Sequence, residues 1–242
     1  MSELRLPVLV DETSAMLDRL TAALGVPREV LASDEEMAYA WQNLPRELKR
    51  IPVDRRNPLL ARMCVAVAAG LFDSAINYAW NCAILELRNR VREFGLPVVS
   101  QITRQSFDEK HLLELRDAEL LSLCVSLNLV TEDGYFLLNQ CREVRNNFSA
   151  AHPPIGTLDD REFILFLSRC AKYALAYTTN PKGVDTQAFL KAIKASRFSE
   201  EQTDEWIGRI ADTHEFQQEM LLRLRERGLA KKLQIPYLII KI

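Results

Sequence analysis

An arginine and a histidine stand seven residues apart in this chain, at positions 145 and 152. Seven residues make two turns of an α-helix, short by about 20°, so both side chains are expected on one helical face. Arginine supplies a permanent cation, and histidine can gain or lose a proton near neutral pH. Arg145 and His152 are therefore groups that can cleave a phosphodiester bond without a metal ion.

Two polar neighbours can complete such a site. Asn146 can hydrogen-bond a phosphate or hold Arg145 in place, and Ser149, one turn before His152, can orient it. With RNA as substrate, His152 can accept the proton of the 2′-hydroxyl or protonate the leaving 5′-oxygen. Arg145 can hold the phosphate and stabilise the charge that develops on it. The structural alternative is that both cations complement the negative end of the helix dipole.

The elements that must position these residues are helices. Only 8 of the 242 residues are glycine and 48% are hydrophobic, which favours an all-α chain with a sizeable core. The formal net charge is -2, so nucleic-acid contacts must come from local patches. Two basic patches, within residues 46–56 and 88–92, can follow an RNA backbone or can be solvated surfaces.

Caps, stops and apolar spacing predict a succession of helices. Asn57 before Pro58 is typical of a helix start, and Gly25 is typical of a helix end. The predicted helices cover residues 11–24, 33–44, 58–69, 71–94, one or two within 108–129, 135–151, 160–177 and three within 185–230. Residues 45–57 are predicted as an extended, charged connector. Thr157-Leu-Asp-Asp160 is predicted as a capping box.

A polar stripe of Asp73, Asn77 and Asn81 runs along the otherwise apolar helix 71–94 at intervals of four residues. One interpretation is a solvated edge with local hydrogen bonds. The other is that the stripe faces the arginine–histidine helix and orients its side chains. The sequence leaves both interpretations open.

Cysteine, histidine and hydropathy patterns argue against several kinds of site. The five cysteines contain no C-x-x-C pair and predict buried free thiols in the reducing cytoplasm. The three histidines are scattered, so no metal or other cofactor is expected. No signal peptide opens the chain and no apolar run reaches the roughly 18 residues that span a bilayer, so no membrane contact is expected. The apolar tail 233–242 is predicted to dock or to contact a partner.

Three features of the chain resemble the HEPN superfamily of helical domains. The first is Arg145 followed by Asn146 and, six intervening residues after the arginine, by His152; the family motif is an arginine and a histidine separated by four to six residues. The second is the segment that leads into the motif, residues 127–146, which looks like the helix–turn–helix that precedes the motif in many members. The third is residues 69–80, which are similar to the family's early helix pair.

The resemblance implies an up-and-down helical bundle over residues 58–178, with an N-terminal helical extension 1–57 and a C-terminal extension and tail 184–242. It also implies a homodimer in which the motif helices of two subunits build one composite site. Many members are metal-independent endoribonucleases of toxin, abortive-infection and CRISPR-linked defence systems. Others have lost activity and serve as binding or regulatory bundles.

The leading hypothesis is therefore an endoribonuclease that acts as a toxin or antiphage effector and leaves a 2′,3′-cyclic phosphate. The alternative is a non-catalytic HEPN bundle, a regulatory or scaffold subunit that binds protein or nucleic acid. An antitoxin or a sensor subunit is the expected protein partner. Family toxins silenced by nucleotidyltransferases usually carry a tyrosine two residues after the histidine, where this chain has Pro154, which puts that form of control in doubt.

Overall fold

The computed structural model describes residues 6–7, 11–103, 105–148, 156–176, 184–195, 199–213 and 215–224. All regular secondary structure in these ranges is helical, without any strand, which confirms the predicted all-α class. The α-helices are α1 Asp11–Leu24, α2 Asp34–Leu48, α3 Pro58–Ala68, α4 Phe72–Phe94, α5 Leu96–Thr103, α6 Glu109–Glu114, α7 Asp117–Ser126, α8 Glu132–Phe148, α9 Asp160–Cys170, α10 Thr186–Ala195, α11 Glu200–Ala211 and α12 Glu215–Leu224. Two 3₁₀ turns, Arg28–Val30 and Val53–Arg55, and a π-helical turn, Ala171–Leu175, accompany them. None of the helices in these ranges is long and apolar enough to cross a membrane.

The chain forms two compact units. The first lies within residues 1–86 and 136–177, and the second within 87–135 and 178–242. Each described residue of the predicted site, on α4 and on α8, belongs to the first unit. The division into an N-terminal extension, a bundle and a C-terminal extension stays a prediction.

Helix α9 packs at the centre of the first unit. Its Phe163 stacks on Phe72 of α4 with ring centroids 5.5 Å apart, and its Phe166 meets Trp80 of α4 edge-on at 6.4 Å. All four rings are buried. Helix α2 packs along α9 as well. Burial of this much aromatic surface fixes the position of α4, the helix that carries the polar stripe.

Helix α2 continues through Pro45, although the sequence predicts a helix end before this residue and an extended connector over 45–57. Pro45 lies in the last turn, where its ring removes a single backbone hydrogen bond, and the buried Leu48 beyond it anchors that turn in the core. Arg56 then donates to the carbonyls of Leu48 and Ile51 at 3.3 and 3.1 Å. The connector therefore consists largely of helical turns, and the prediction of an extended segment is wrong.

Local signals explain most of the other helix boundaries. Asn57 Oδ1 accepts a hydrogen bond from the Leu59 N–H at 2.9 Å and so caps α3, as the sequence predicts. The capping box of α9 is formed by Asp159 and Glu162, two residues beyond the predicted position. Helix α5 is absent from the prediction. Its Pro97 stands in the first turn, where a missing N–H breaks no intrahelical bond.

Basic residues of both predicted patches hold the protein together internally. In the first unit, Arg55 pairs with Glu86 at 2.9 Å and Arg50 with Glu47 at 3.1 Å. In the second unit, Arg92 pairs with Glu109, and the buried Arg90 donates to the Leu129 carbonyl at 3.0 Å. Arg46, Lys49 and Arg50 are exposed, so part of the first patch is a solvated surface, and a role of either patch in following RNA stays a prediction.

The five cysteines are free, and four of them are buried, as predicted. Cys64 is the exception, because it is only half-buried. Burial raises the pKa of the Cys82 thiol to about 11 and that of Cys124 to about 12. These thiols are consequently neutral at physiological pH and pack as small apolar groups.

Candidate functional site

Helix α8 carries the predicted arginine. The helix begins after Thr131, whose Oγ1 accepts a hydrogen bond from the Gly134 N–H at 3.0 Å, and two acidic residues occupy its first turn. Cys141 points into the core. Arg145 follows one turn later and lies in the last turn of the helix, which ends at Phe148. The sequence predicts that this helix continues to Ala151, which lies outside the described residues, so that boundary stays a prediction.

The guanidinium of Arg145 is half-buried and has few partners. Its Nη1 donates to Asn146 Oδ1 at 3.1 Å, and its buried Nε has no hydrogen-bond partner. No ion pair in the described part of the chain involves it. An unsatisfied buried donor costs about 1–3 kcal/mol. Arg88 also has a buried, unpartnered Nε, but its Nη2 donates to two backbone carbonyls.

Ser149 and His152 fall within residues 149–155, which lie outside the described residues. The expectation that Arg145 and His152 share one helical face therefore stays a prediction. The described residues on either side of this segment, Phe148 and Gly156, both line the same cavity.

The cavity has a volume of about 480 Å³ and belongs to the first unit. The N-terminal ends of α2, α4 and α9 meet there with the end of α8. Its lining includes four carboxylates and two aromatic rings: Glu29, Glu36, Asp73, Asp159, Phe72 and Phe148. The remaining lining is mostly apolar, and none of the described lining residues is cationic.

Three of these carboxylates also accept a backbone hydrogen bond at a helix start. The bonds run from the Ser33 N–H to Glu36 Oε2, from the Ser74 N–H to Asp73 Oδ1 and from the Glu162 N–H to Asp159 Oδ1, each at 2.7 Å. Within the described residues the second oxygen of each carboxylate has no hydrogen-bond partner. The cavity therefore presents acceptors that are held in place by their helices and are still able to bind a ligand.

The polar stripe of α4 has features of both interpretations. Asp73 lines the cavity together with Phe148, so one end of the stripe shares this space with the helix of Arg145. Asn77 donates from Nδ2 to the Asp73 carbonyl at 3.0 Å, which is the local hydrogen bond expected of a solvated edge. Asn81 is exposed. An orienting role for these three residues stays a prediction.

In the ranges that the structure describes, no three His, Cys, Asp or Glu side chains gather closely enough to hold a metal ion. Comparisons of the chain with protein-family models, with curated proteins and with solved structures found no match.

Sequence reasoning missed the cavity and its aromatic residues. The helix starts at Ser33 and near Asp159 carry recognisable capping signals, but no sequence signal shows that three helix starts meet in space. Phe148 offers one usable clue. It follows Arg145 by three residues, a spacing that places both side chains on the same side of α8.

Proposed function

We propose that this chain is a metal-independent endoribonuclease of the HEPN type that acts as a toxin or antiphage effector. The observation that carries the proposal is the guanidinium of Arg145, a half-buried cation with an unpartnered Nε at the end of a bundle helix. Because this guanidinium forms no ion pair within the described residues, its Nη groups can bind a phosphate without first breaking one. The contact with Asn146 holds it in place.

The proposed reaction is attack of an RNA 2′-oxygen on the adjacent phosphorus. His152 accepts the hydroxyl proton as the new P–O bond forms, the bond to the 5′-oxygen breaks, and an imidazolium returns a proton to the leaving oxygen. Arg145 stabilises the additional negative charge on the phosphoryl oxygens. The products are a 2′,3′-cyclic phosphate and a 5′-hydroxyl, and the reaction needs no cofactor.

The first test is cleavage of an RNA oligonucleotide at neutral pH in the presence of EDTA. We expect cleavage of the RNA and no cleavage of the same sequence with 2′-O-methyl groups, because the modified strand lacks the nucleophile. Mass spectrometry of the fragments should show the cyclic phosphate. Cleavage of the 2′-O-methyl strand would contradict the mechanism.

Substitution of the two proposed catalytic residues should abolish activity without unfolding the protein. Arg145→Ala and His152→Ala are each expected to lower the cleavage rate by about 100- to 1,000-fold, the usual effect of removing one group that stabilises the transition state. Arg142→Ala, one turn earlier on α8 and paired with Glu143, and His111→Ala are the matched controls. If activity falls only together with the melting temperature, the arginine has a structural role.

The composite site requires a homodimer, which a mass measurement in solution can detect. If Arg145 of one protomer acts with the partner subunit's His152, mixing the two inactive variants should restore activity. A heterodimer of Arg145→Ala and His152→Ala subunits then retains one intact pair of residues. A site contained within one subunit would stay inactive in the mixture.

A second candidate function is a non-catalytic bundle that binds a protein partner, such as an antitoxin or a sensor subunit. The observation in its favour is an exposed apolar row on α1, in which Met16, Leu20 and Leu24 are 55%, 49% and 68% exposed at intervals of four residues. Such a row fits an amphipathic helix of a partner. Intact cellular RNA and equal growth upon expression of the wild-type protein and Arg145→Ala would favour this function.

A further inference from the structure

The cavity lies close enough to Arg145 to receive part of the same ligand. Phe148 lines it and follows Arg145 by three residues on α8, which places their Cβ atoms about 5–6 Å apart. The volume of about 480 Å³ falls inside the range of about 300–1,000 Å³ that ligand pockets occupy. A nucleotide whose phosphate binds Arg145 can therefore extend its base towards Phe148.

The lining chemistry selects a particular kind of ligand. Four carboxylates without any described cationic lining residue repel a phosphate, so the phosphate belongs outside the cavity. Phe148 and the apolar lining offer contacts to a flat ring, and the open carboxylate oxygens accept hydrogen bonds. An uncharged aromatic ring with N–H donors at its edge satisfies both requirements.

We propose that this cavity binds a nucleobase of the RNA that the site cleaves, and that it favours guanine over uracil. The proposal rests on the proposed function. Guanine presents two adjacent donors, N1–H and N2–H, which match the two oxygens of a carboxylate. Uracil presents one donor between two carbonyl oxygens, which a carboxylate repels.

Asp73 is the specificity-determining residue of this pocket, and Phe148 is its stacking residue. Asp73 is half-buried, and its bond to the Ser74 N–H fixes the carboxylate. Its Oδ2 has no partner in the described part of the chain, and its Oδ1 keeps a second lone pair. Phe148 lines the same space from α8. Stacking on an aromatic side chain together with hydrogen bonding at the base edge is the usual way in which proteins read an unpaired base.

Binding of free nucleosides to the full chain tests the pocket separately from cleavage. Titration calorimetry should show guanosine binding at least about tenfold tighter than uridine, as expected for one matched pair of hydrogen bonds. Asp73→Asn should lose this difference, because the amide replaces one acceptor with a donor. Asp133→Asn, an exposed residue in the first turn of α8, is the matched control and should bind like the wild type. Arg145→Ala should also bind guanosine normally, since a nucleoside carries no phosphate.

The cleavage pattern supplies the second measurement. On an RNA that contains all four bases, the wild-type protein should cut preferentially beside guanine, and Asp73→Asn should cut without this preference. If Asp73→Asn fails to fold, Phe148→Leu is the alternative variant. It keeps an apolar side chain but removes the ring, so it should weaken guanosine binding.

The possible results separate the two proposals. Guanosine binding without any RNA cleavage overturns the proposed function and supports the nucleobase pocket. RNA cleavage without guanosine binding at millimolar concentration overturns the pocket alone. Equal affinity for guanosine and uridine, or stronger binding of butylammonium ion than of guanosine, overturns the pocket as well.

Discussion

At the scale of single residues, the arginines of the first unit differ in what surrounds them. Arg55 is enclosed, pairs with the buried Glu86 at 2.9 Å and also donates to the carbonyls at the end of the π-helical turn. Arg145 has one side-chain hydrogen bond and an unpartnered Nε. The first arrangement stabilises the fold, whereas the second leaves hydrogen-bonding capacity for a ligand.

This difference predicts opposite effects of two alanine substitutions. Arg55→Ala should lower the free energy of unfolding by about 3–5 kcal/mol, because it leaves the Glu86 carboxylate buried without its cation. Arg145→Ala should change that free energy by less than about 1 kcal/mol while it removes RNA cleavage. Urea denaturation of both variants measures the first quantity. A larger loss of stability in Arg145→Ala than in Arg55→Ala would show that Arg145 is structural.

At the scale of the element, helix α2 shows how packing overrides a local breaking signal. Pro45 lacks the N–H that would bond to the Trp41 carbonyl, yet the helix continues to Leu48. Helix α2 packs along α9 and against α3, and the buried side chains of its last turn hold the backbone in place. The proline is therefore tolerated at a cost to stability.

Pro45→Ala should raise the free energy of unfolding. A proline in a helix interior costs about 3 kcal/mol. Because proline also restricts the unfolded chain, which stabilises the fold by up to about 1 kcal/mol, we expect a net gain of about 2–3 kcal/mol. Pro52→Ala is the control, because Pro52 precedes a 3₁₀ turn and lies outside the α-helices. A gain from Pro52→Ala but none from Pro45→Ala would mean that α2 ends before Pro45.

At the scale of the whole molecule, the distribution of charge bears on the proposed binding of RNA. The formal net charge is -2, and arginines of both basic patches, including Arg50, Arg55, Arg90 and Arg92, have partners within the protein. We therefore expect non-specific attraction to the phosphate backbone to be weak. In the proposed function, affinity for RNA then depends on the site around Arg145 and on the proposed contacts of the base.

The salt dependence of RNA binding should reflect this small number of cations. The measurement uses His152→Ala, which the proposed mechanism predicts to be inactive. We expect the logarithm of its association constant for RNA to fall with the logarithm of the salt concentration with a slope of about -1 to -2, as for one to three phosphate contacts. Fluorescence anisotropy with a labelled RNA measures the slope. Arg145→Ala should make it shallower by about 0.7, the contribution of one contact to a single strand. A slope of -5 or steeper would reveal a basic surface that the described residues do not show.

The sequence by itself determined the all-α class and most helix starts and ends. Asn57, Gly25 and the apolar spacing act within a few residues, so their effects can be read locally. The sequence also singled out Arg145 and Asn146 as neighbours, and their hydrogen bond follows from this adjacency. The same reasoning failed at Pro45, where packing against distant residues outweighs a local signal.

Only the tertiary structure decided which arginines form ion pairs within the protein and which groups surround the cavity. Glu86 is 31 residues from Arg55 in the chain, and Phe148 is 75 residues from Asp73. Neither the ion pair nor the shared cavity can therefore be predicted from the spacing of nearby residues. The cavity exists because the starts of α2, α4 and α9 converge, and burial of rings such as Phe72 and Phe163 contributes to that convergence. Contacts between residues far apart in the chain are chosen by the packing of the whole core, because no local preference is strong enough to specify them.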